Sequence, residues 1–146
     1  MPVRTAHTAW TGTLQEGSGR VELVSSGVGT YDVSFPRRAA DEADGWTSPE
    51  ELIAAAHSSC FAMQLSSVVA QAGGTPKSLD VTADVRLSPD PAGGFRISAI
   101  ALKVRGTVDG LDADGFTAAA EKAKAGCPVS KALAGVDEIT LDADLD

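Results

Sequence analysis

The stretch that decides the fold of this chain is residues 47–63, TSPEELIAAAHSSCFAM. Ser48 can cap a helix, Pro49 suits the first helical position, and Glu51 stands three residues after the cap, as in a capping box. Because no helix breaker follows until a pair of glycines, the pattern predicts a helix over residues 49–72. Apolar side chains lie nearly all round this helix, so we expect it to be buried on most of its faces.

Segments with strand character flank the helix on both sides. Before it, β-branched and aromatic residues between glycine turns predict three antiparallel strands within the first 35 residues, followed by a polar loop over 36–48. After it, the pattern predicts a hairpin over 79–87 and 95–108, a helix over 113–125, a short helix over 129–133 and a strand over 138–145. The order β-β-β-α-β-β-α-α-β is typical of an α+β fold with an antiparallel sheet.

Length and charge limit the classes of protein to consider. The 146 residues correspond to a single domain, 1–146. A net charge of −8 disfavours binding to nucleic acid or to an anionic membrane. No apolar run approaches the length of a membrane helix, and the first residues lack the apolar stretch of a secretory signal, so we expect a cytoplasmic protein. In such a reducing compartment two cysteines more often bind metal or catalyse than form a bridge.

These two cysteines are the main candidates for chemistry. Cys60 lies inside the predicted buried helix, where a free cysteine usually behaves as a small apolar residue. Cys127 stands beside the start of a new helix, where backbone N–H groups favour a thiolate, although it could simply fill the cap. His57 lies one turn before Cys60 and could act as a base or ligand, but a satisfied interior histidine is the commoner case. We expect Phe61, Met63 and Phe116 in the core rather than in a substrate pocket.

Two motifs resemble those of one known family. Residues 47–63 resemble the first cysteine motif of the OsmC/Ohr family of organic hydroperoxide reductases. Residues 123–133, AKAGCPVSKAL, are similar to the second motif in its OsmC branch, and the order of elements matches over nearly the whole chain. The resemblance implies an OsmC-like intertwined homodimer. In it, antiparallel sheets wrap around two long central helices, and the active sites lie at the dimer interface.

The resemblance also implies roles for particular residues. Cys60 matches the peroxidatic cysteine and Cys127 the resolving cysteine. Glu50 matches the family's glutamate, ten residues before the first cysteine. The family's arginine would be Arg37 or Arg38. We favour Arg38 because it lies two residues after a proline, but the doubled arginine leaves the choice open.

The expected activity is that of a thiol-dependent peroxidase. The resemblance implies reduction of organic hydroperoxides, and less efficiently of hydrogen peroxide, to alcohols during oxidative or osmotic stress. It implies no cofactor and no metal, and a dithiol reductant such as a lipoyl protein. Attack on a peroxide needs a thiolate, and burial raises the pKa of a thiol, so a cation is required beside Cys60. Arginine stays charged when desolvated, and a carboxylate can orient it. Cys127 would then condense with the sulfenic acid of Cys60 to form a disulfide, which prevents over-oxidation.

Helix geometry constrains the role of Glu50. Ten residues of helix span roughly 15 Å, so Glu50 cannot reach Cys60 along its own helix. It must act through the arginine or come from the partner chain. Two other functions remain open: a metal-binding protein with Cys60, Cys127 and His57 as ligands, and a non-catalytic dimeric interaction protein with inert thiols.

Overall fold

The computed structural model describes all residues from Met1 to Asp146. It contains six strands and four helices. In chain order they are β1 (His7–Thr11), β2 (Ser18–Glu22), β3 (Thr30–Val33), α1 (Phe35–Arg38), α2 (Pro49–Gln71), β4 (Thr75–Pro89), β5 (Phe95–Asp109), α3 (Ala113–Gly126), α4 (Pro128–Ala132) and β6 (Glu138–Leu145). The contacts divide the chain into two compact units, Met1–Leu52 and Ile53–Asp146. The expectation of one domain over 1–146 stays a prediction.

The first unit holds a three-stranded antiparallel sheet in the order β1-β2-β3, as predicted. Strand β1 is exposed along its whole length, and Val21 of β2 is buried. The polar loop predicted over 36–48 is wrong at its start, because α1 forms there. The Oγ of Ser34 accepts a hydrogen bond from the Arg37 N–H, and Pro36 fixes the backbone of the first turn.

Helix α2 begins where the cap predicts. The Oγ of Ser48 accepts a hydrogen bond of 3.1 Å from the Glu51 N–H. The second half of the predicted capping box is wrong, because the Glu51 carboxylate does not return to Ser48. It accepts instead a hydrogen bond of 2.6 Å from the hydroxyl of Thr47. One oxygen at the cap position is therefore enough to start the helix.

The second unit holds the sheet β4-β5-β6. Strands β4 and β5 form the predicted antiparallel hairpin, but β6 pairs with β5 in parallel, from Ala99 opposite Glu138 to Gly106 opposite Leu145. The expectation of an antiparallel sheet is therefore wrong for β6. Helices α3 and α4 carry the chain back before β6, and a crossover through helices joins parallel strands.

One face of α2 forms the centre of the core in the second unit. Phe61, Leu65 and Val69 are fully buried against residues of β5 and α3. Gly106 of β5 makes room for α3, because a Cβ there would lie 2.5 Å from the Phe116 ring. Burying an apolar side chain of this size contributes roughly 1.5–3 kcal/mol to the stability of the fold, so these side chains fix α2 in the core of the second unit.

The opposite face of α2 is open in the single chain. Ala55, Ala56 and Ser59 are exposed, and Met63 is 72% exposed. The prediction that most faces of α2 are buried is therefore wrong for the single chain, as is the expectation of Met63 in the core. The sequence makes two faces of α2 apolar, but the rest of this chain covers only one of them.

Helix α2 also corrects the expectation that no segment reaches membrane-spanning length. The helix has 23 residues and contains an 18-residue window with a mean hydropathy of 1.4, so it is long and apolar enough to cross a membrane. Core helices of soluble proteins meet the same criterion, and here Phe61 and Leu65 lie in the protein's own core. The polar residues scattered through the segment, such as His57, hide this character from a search for an uninterrupted apolar run.

Candidate active site

Cys127 is placed by the break between α3 and α4. Its backbone is extended (φ −62°, ψ 123°) because the residue before a proline is disfavoured from helical geometry, and Pro128 follows. Gly126 is the last residue of α3 and is not in the left-handed region, so it does not act as a glycine cap. The proline therefore ends α3, starts α4 and leaves Cys127 fully buried at the cap.

The structure brings the two cysteines together although 67 positions separate them in the chain. Cys60, on α2, is partly buried and packs against the core cluster that includes Cys127. Both thiols are free, and each shifts the pKa of the other, as neighbouring side chains do. The two sulfurs are therefore neighbours in the core of the second unit.

The surroundings of Cys127 favour its thiolate. Burial, the largest single influence, opposes ionisation. Hydrogen bonds from the Ser130 backbone, the Cys60 thiol, the Ser130 hydroxyl and the Val129 backbone oppose burial and together lower the pKa of Cys127. Removing one of these donors would leave the charge less well solvated.

Cys60 has the opposite tendency. Burial is the main cause that raises the pKa of Cys60; a hydrogen bond from the Val129 backbone lowers it, and the neighbouring Cys127 raises it. Two thiols in contact lose their protons as a pair, and the first ionisation makes the second harder.

The first unit contains a nearly buried ion pair between Arg38 and Glu50. The Arg38 Nη2 lies 2.6 Å from Glu50 Oε1, and its Nε lies 3.1 Å from both carboxylate oxygens. The side chains are 31% and 10% exposed. Arg37 instead pairs with Asp44, and those side chains are 41% and 63% exposed. The two arginines thus differ in partner and burial: Arg38 is held on a desolvated carboxylate, and Arg37 lies at the surface.

His57 lies in the second unit and is fully buried. Its Nε2 is 2.7 Å from the hydroxyl oxygen of Ser130, while its Nδ1 has no hydrogen-bond partner. Burial lowers the pKa of His57. The expectation of a fully satisfied interior histidine is therefore wrong for one ring nitrogen. Ser130 was not predicted from the sequence. The signal was present, because residues three apart on a helix lie on the same face, and Ser130 follows Cys127 by three residues.

The arrangement of side chains gives little support to the alternative of a metal-binding protein. No group of three or more His, Cys, Asp or Glu side chains is placed to hold a metal ion. The Nε2 of His57 is directed at a serine hydroxyl rather than into a shared site with the sulfurs.

Comparison with known proteins finds relatives that match most of the chain. The family model described as OsmC-like protein matches residues 42–142. The chain is 46% identical over 136 residues to peroxiredoxin OsmC of Escherichia coli (strain K12), covering 93% of this chain and 92% of the relative. It is 34% identical over 139 residues to the organic hydroperoxide resistance protein OhrA of Bacillus subtilis (strain 168), covering 91% and 94%.

Solved structures have the same fold. An organic hydroperoxide resistance protein from Elizabethkingia anophelis matches with a TM-score of 0.74 and 27% identity, covering 99% of each chain. OhrB of Bacillus subtilis matches with a TM-score of 0.71 and 28% identity, covering 97% of this chain and 98% of that one. The predicted α+β fold is confirmed, and the names of the curated relatives indicate a peroxidase, an oxidoreductase that acts on peroxide. By its family match, its identity to curated relatives and its fold, the chain belongs to the OsmC-like family.

Proposed function

We propose that this protein is a cytoplasmic thiol peroxidase that reduces organic hydroperoxides to alcohols, and hydrogen peroxide more slowly, in defence against oxidative and osmotic stress. The observation that carries the proposal is that Cys60 packs beside Cys127, so that the two thiols influence each other's ionisation. Both cysteines are free thiols, which is the form that the first step of the reaction needs. The names of the relatives support the peroxide substrate.

The proposed reaction begins with the charge on Cys60. Burial favours the neutral thiol there, so a cation must stabilise the thiolate. We assign this role to Arg38, whose guanidinium is oriented by Glu50 through contacts to both carboxylate oxygens. When the pair of thiols has lost one proton, a positive charge beside Cys60 would stabilise the thiolate there, and Cys127 would keep its proton. Glu50 acts through the arginine and is a positioning residue.

The chemical steps follow from this charge distribution. The Cys60 thiolate attacks the distal oxygen of the hydroperoxide, the O–O bond breaks, and the departing alkoxide takes up a proton to become the alcohol. Cys60 is then a sulfenic acid. Cys127 attacks its sulfur, the S–O bond breaks, hydroxide leaves as water after protonation, and a disulfide forms. A dithiol, for which a lipoyl protein is our candidate, reduces the disulfide and restores both thiols.

The assembly proposed for this activity is a homodimer with an active site at the interface. In the single chain the open face of α2 exposes Met63, and strand β1 is exposed throughout. A three-stranded sheet and a largely apolar helix both need a covering layer to be stable. A second copy of the chain would supply both covers, and by two-fold symmetry each protomer would complete the site of the other.

Mass spectrometry with substoichiometric cumene hydroperoxide tests the chemistry. The wild-type protein should form an intramolecular Cys60–Cys127 disulfide, and the absence of other cysteines makes the mass change unambiguous. Cys60→Ser should not consume peroxide, whereas Cys127→Ser should complete one turnover and then accumulate sulfinic acid at Cys60. Repeated turnover by Cys60→Ser would refute the assigned roles. Release of zinc would support the metal-binding alternative, and no reaction at all would support an inert interaction protein.

Steady-state kinetics test the substrate. With dihydrolipoamide as the electron donor, we expect a larger kcat/KM for cumene hydroperoxide than for hydrogen peroxide. A preference for hydrogen peroxide would contradict the proposed substrate class while leaving the thiol chemistry intact.

A further inference from the structure

We propose that His57 and Ser130 form a buried hydrogen-bond relay that aims the Ser130 hydroxyl proton at the sulfur of Cys127 and so equips Cys127 as the resolving nucleophile. His57 and Ser130 act through the sulfur's hydrogen bond and are positioning residues. The inference rests on the proposed function, because it concerns the second step of that reaction.

The geometry forms a chain of three groups inside the second unit. The Nε2 of His57 lies 2.7 Å from the Oγ of Ser130. The same hydroxyl lies near the Cys127 sulfur, three residues away along the chain, and lowers the pKa of Cys127. His57 is fully buried and Ser130 is 9% exposed, so solvent does not compete for either contact. Side-chain hydrogen bonds in such surroundings are stronger than in water and polarise one another.

The unpaired nitrogen sets the direction of the relay. If Nδ1 carried the ring proton, a buried N–H would lack an acceptor, and orphaned buried N–H groups are rare. The favoured tautomer therefore has the proton on Nε2, which donates to Ser130. Because the serine oxygen then accepts from His57, its own proton is free to point at Cys127. Burial lowers the pKa of His57, so the ring is neutral and serves as a donor rather than as a base.

The relay matters after Cys60 has reacted. Once Cys60 is a sulfenic acid, the negative charge must form on Cys127 for the second attack. The Ser130 hydroxyl stabilises that thiolate while an S–S bond forms and the S–O bond of the sulfenic acid breaks. The proton released by Cys127 on ionisation ends in the water molecule that leaves, so the step needs no added acid or oxidant.

Titration of Cys127 tests the relay without any peroxide chemistry. In a Cys60→Ser background, thiolate absorbance reports Cys127 alone. Ser130→Ala should raise the apparent pKa of Cys127 by about one unit, since hydrogen bonds to charged groups are of that strength. Ser67→Ala removes an exposed hydroxyl from α2 and is the matched control. Identical titrations for Ser130→Ala and Ser67→Ala would overturn the proposal.

Variants of His57 test the other end of the relay. His57→Phe keeps a ring but removes the donor, and should raise the pKa of Cys127 by less than Ser130→Ala does. His57→Gln keeps an N–H near the Nε2 position and should restore the wild-type titration. In the unsubstituted protein, ¹⁵N spectra of the imidazole should show the proton on Nε2. A proton on Nδ1 would reverse the hydrogen bond to Ser130 and refute the relay even if a variant failed to fold.

Single-turnover kinetics connect the relay to the reaction. A pKa higher by one unit reduces the thiolate population but increases its nucleophilicity, so disulfide formation should slow about threefold in Ser130→Ala, with more sulfinic acid on Cys60. Disulfide formation at the wild-type rate would count against the relay. If wild-type Cys60 does not react with cumene hydroperoxide, the proposed function fails, while the titration of Cys127 still decides the relay.

Discussion

Arg38→Ala, compared with Arg37→Ala, separates a buried ion pair from an exposed one. The Glu50 side chain is 10% exposed and Arg38 is 31% exposed. Breaking a fully buried pair costs 3–5 kcal/mol because a charge is left unpaired; the partial exposure of Arg38 reduces our expectation to about 2 kcal/mol. Loss of the exposed pair of Arg37 and Asp44 should lower the free energy of unfolding by less than about 1 kcal/mol.

Urea unfolding at a fixed protein concentration measures these differences. The double variant Arg38→Ala/Glu50→Gln should recover part of the lost stability, because it leaves no carboxylate without a partner. In parallel, stopped-flow measurement of Cys60 oxidation should show a rate at least about threefold lower for Arg38→Ala, if removal of the cation raises the thiol pKa by one unit or more, because greater nucleophilicity offsets part of the lost thiolate. Equal losses for the two arginine variants would refute the reasoning, as would strictly additive effects in the double variant.

Three further predictions address assembly, packing and pH. Met63→Glu places a charge on the open face of α2, and light scattering should show a smaller assembly than the wild type; an unchanged mass would contradict the proposed interface. Gly106→Ala would force a Cβ to 2.5 Å from the Phe116 ring and should destabilise the protein by about 1–3 kcal/mol in urea, whereas Gly135→Ala, with open space around it, should be nearly neutral. Because burial lowers the pKa of His57 below its usual 6.5, the unfolded chain binds more protons in that range. Stability should therefore fall as pH drops below 6.5, and His57→Phe should flatten this dependence; a parallel profile would contradict it.

Local signals were enough to predict the elements that carry the site. Ser48 and Pro49 mark the start of α2, and Pro128 marks the start of α4, because caps and prolines act through the backbone of their own neighbours. The same kind of signal was present at Ser34 and Pro36, where we expected a loop. A helix of four residues has no apolar periodicity to support its cap, so the sequence pattern there does not distinguish a helix from a loop.

Features that depend on distant parts of the chain could not be predicted in this way. The direction of β6 depends on how α3 and α4 return the chain, and an alternating pattern is the same in either direction. The exposure of Met63 depends on a layer that this chain does not contain. The contact between His57 and Ser130 joins residues 73 positions apart, and only the packing of α4 on α2 brings them together.

The sequence alone could not decide between the two arginines, because it does not show which partner each of them has. The sequence offered Arg37 and Arg38 as neighbours with equal chemistry, and their partners distinguish them: a nearly buried carboxylate for Arg38 and a surface aspartate for Arg37. Which of them serves the thiols stays a prediction that the variant comparison addresses.

The contact between the two sulfurs has a consequence for how the reduced protein meets any electrophile. Since one ionised sulfur suppresses ionisation of its neighbour, the pair offers a single reactive electron pair at a time. An alkylating reagent such as iodoacetamide should therefore modify the first cysteine much faster than the second, and the second should become reactive only when the first can no longer take the charge. Such sequential reactivity would suit the proposed cycle, in which Cys60 reacts first with the peroxide and Cys127 ionises only afterwards.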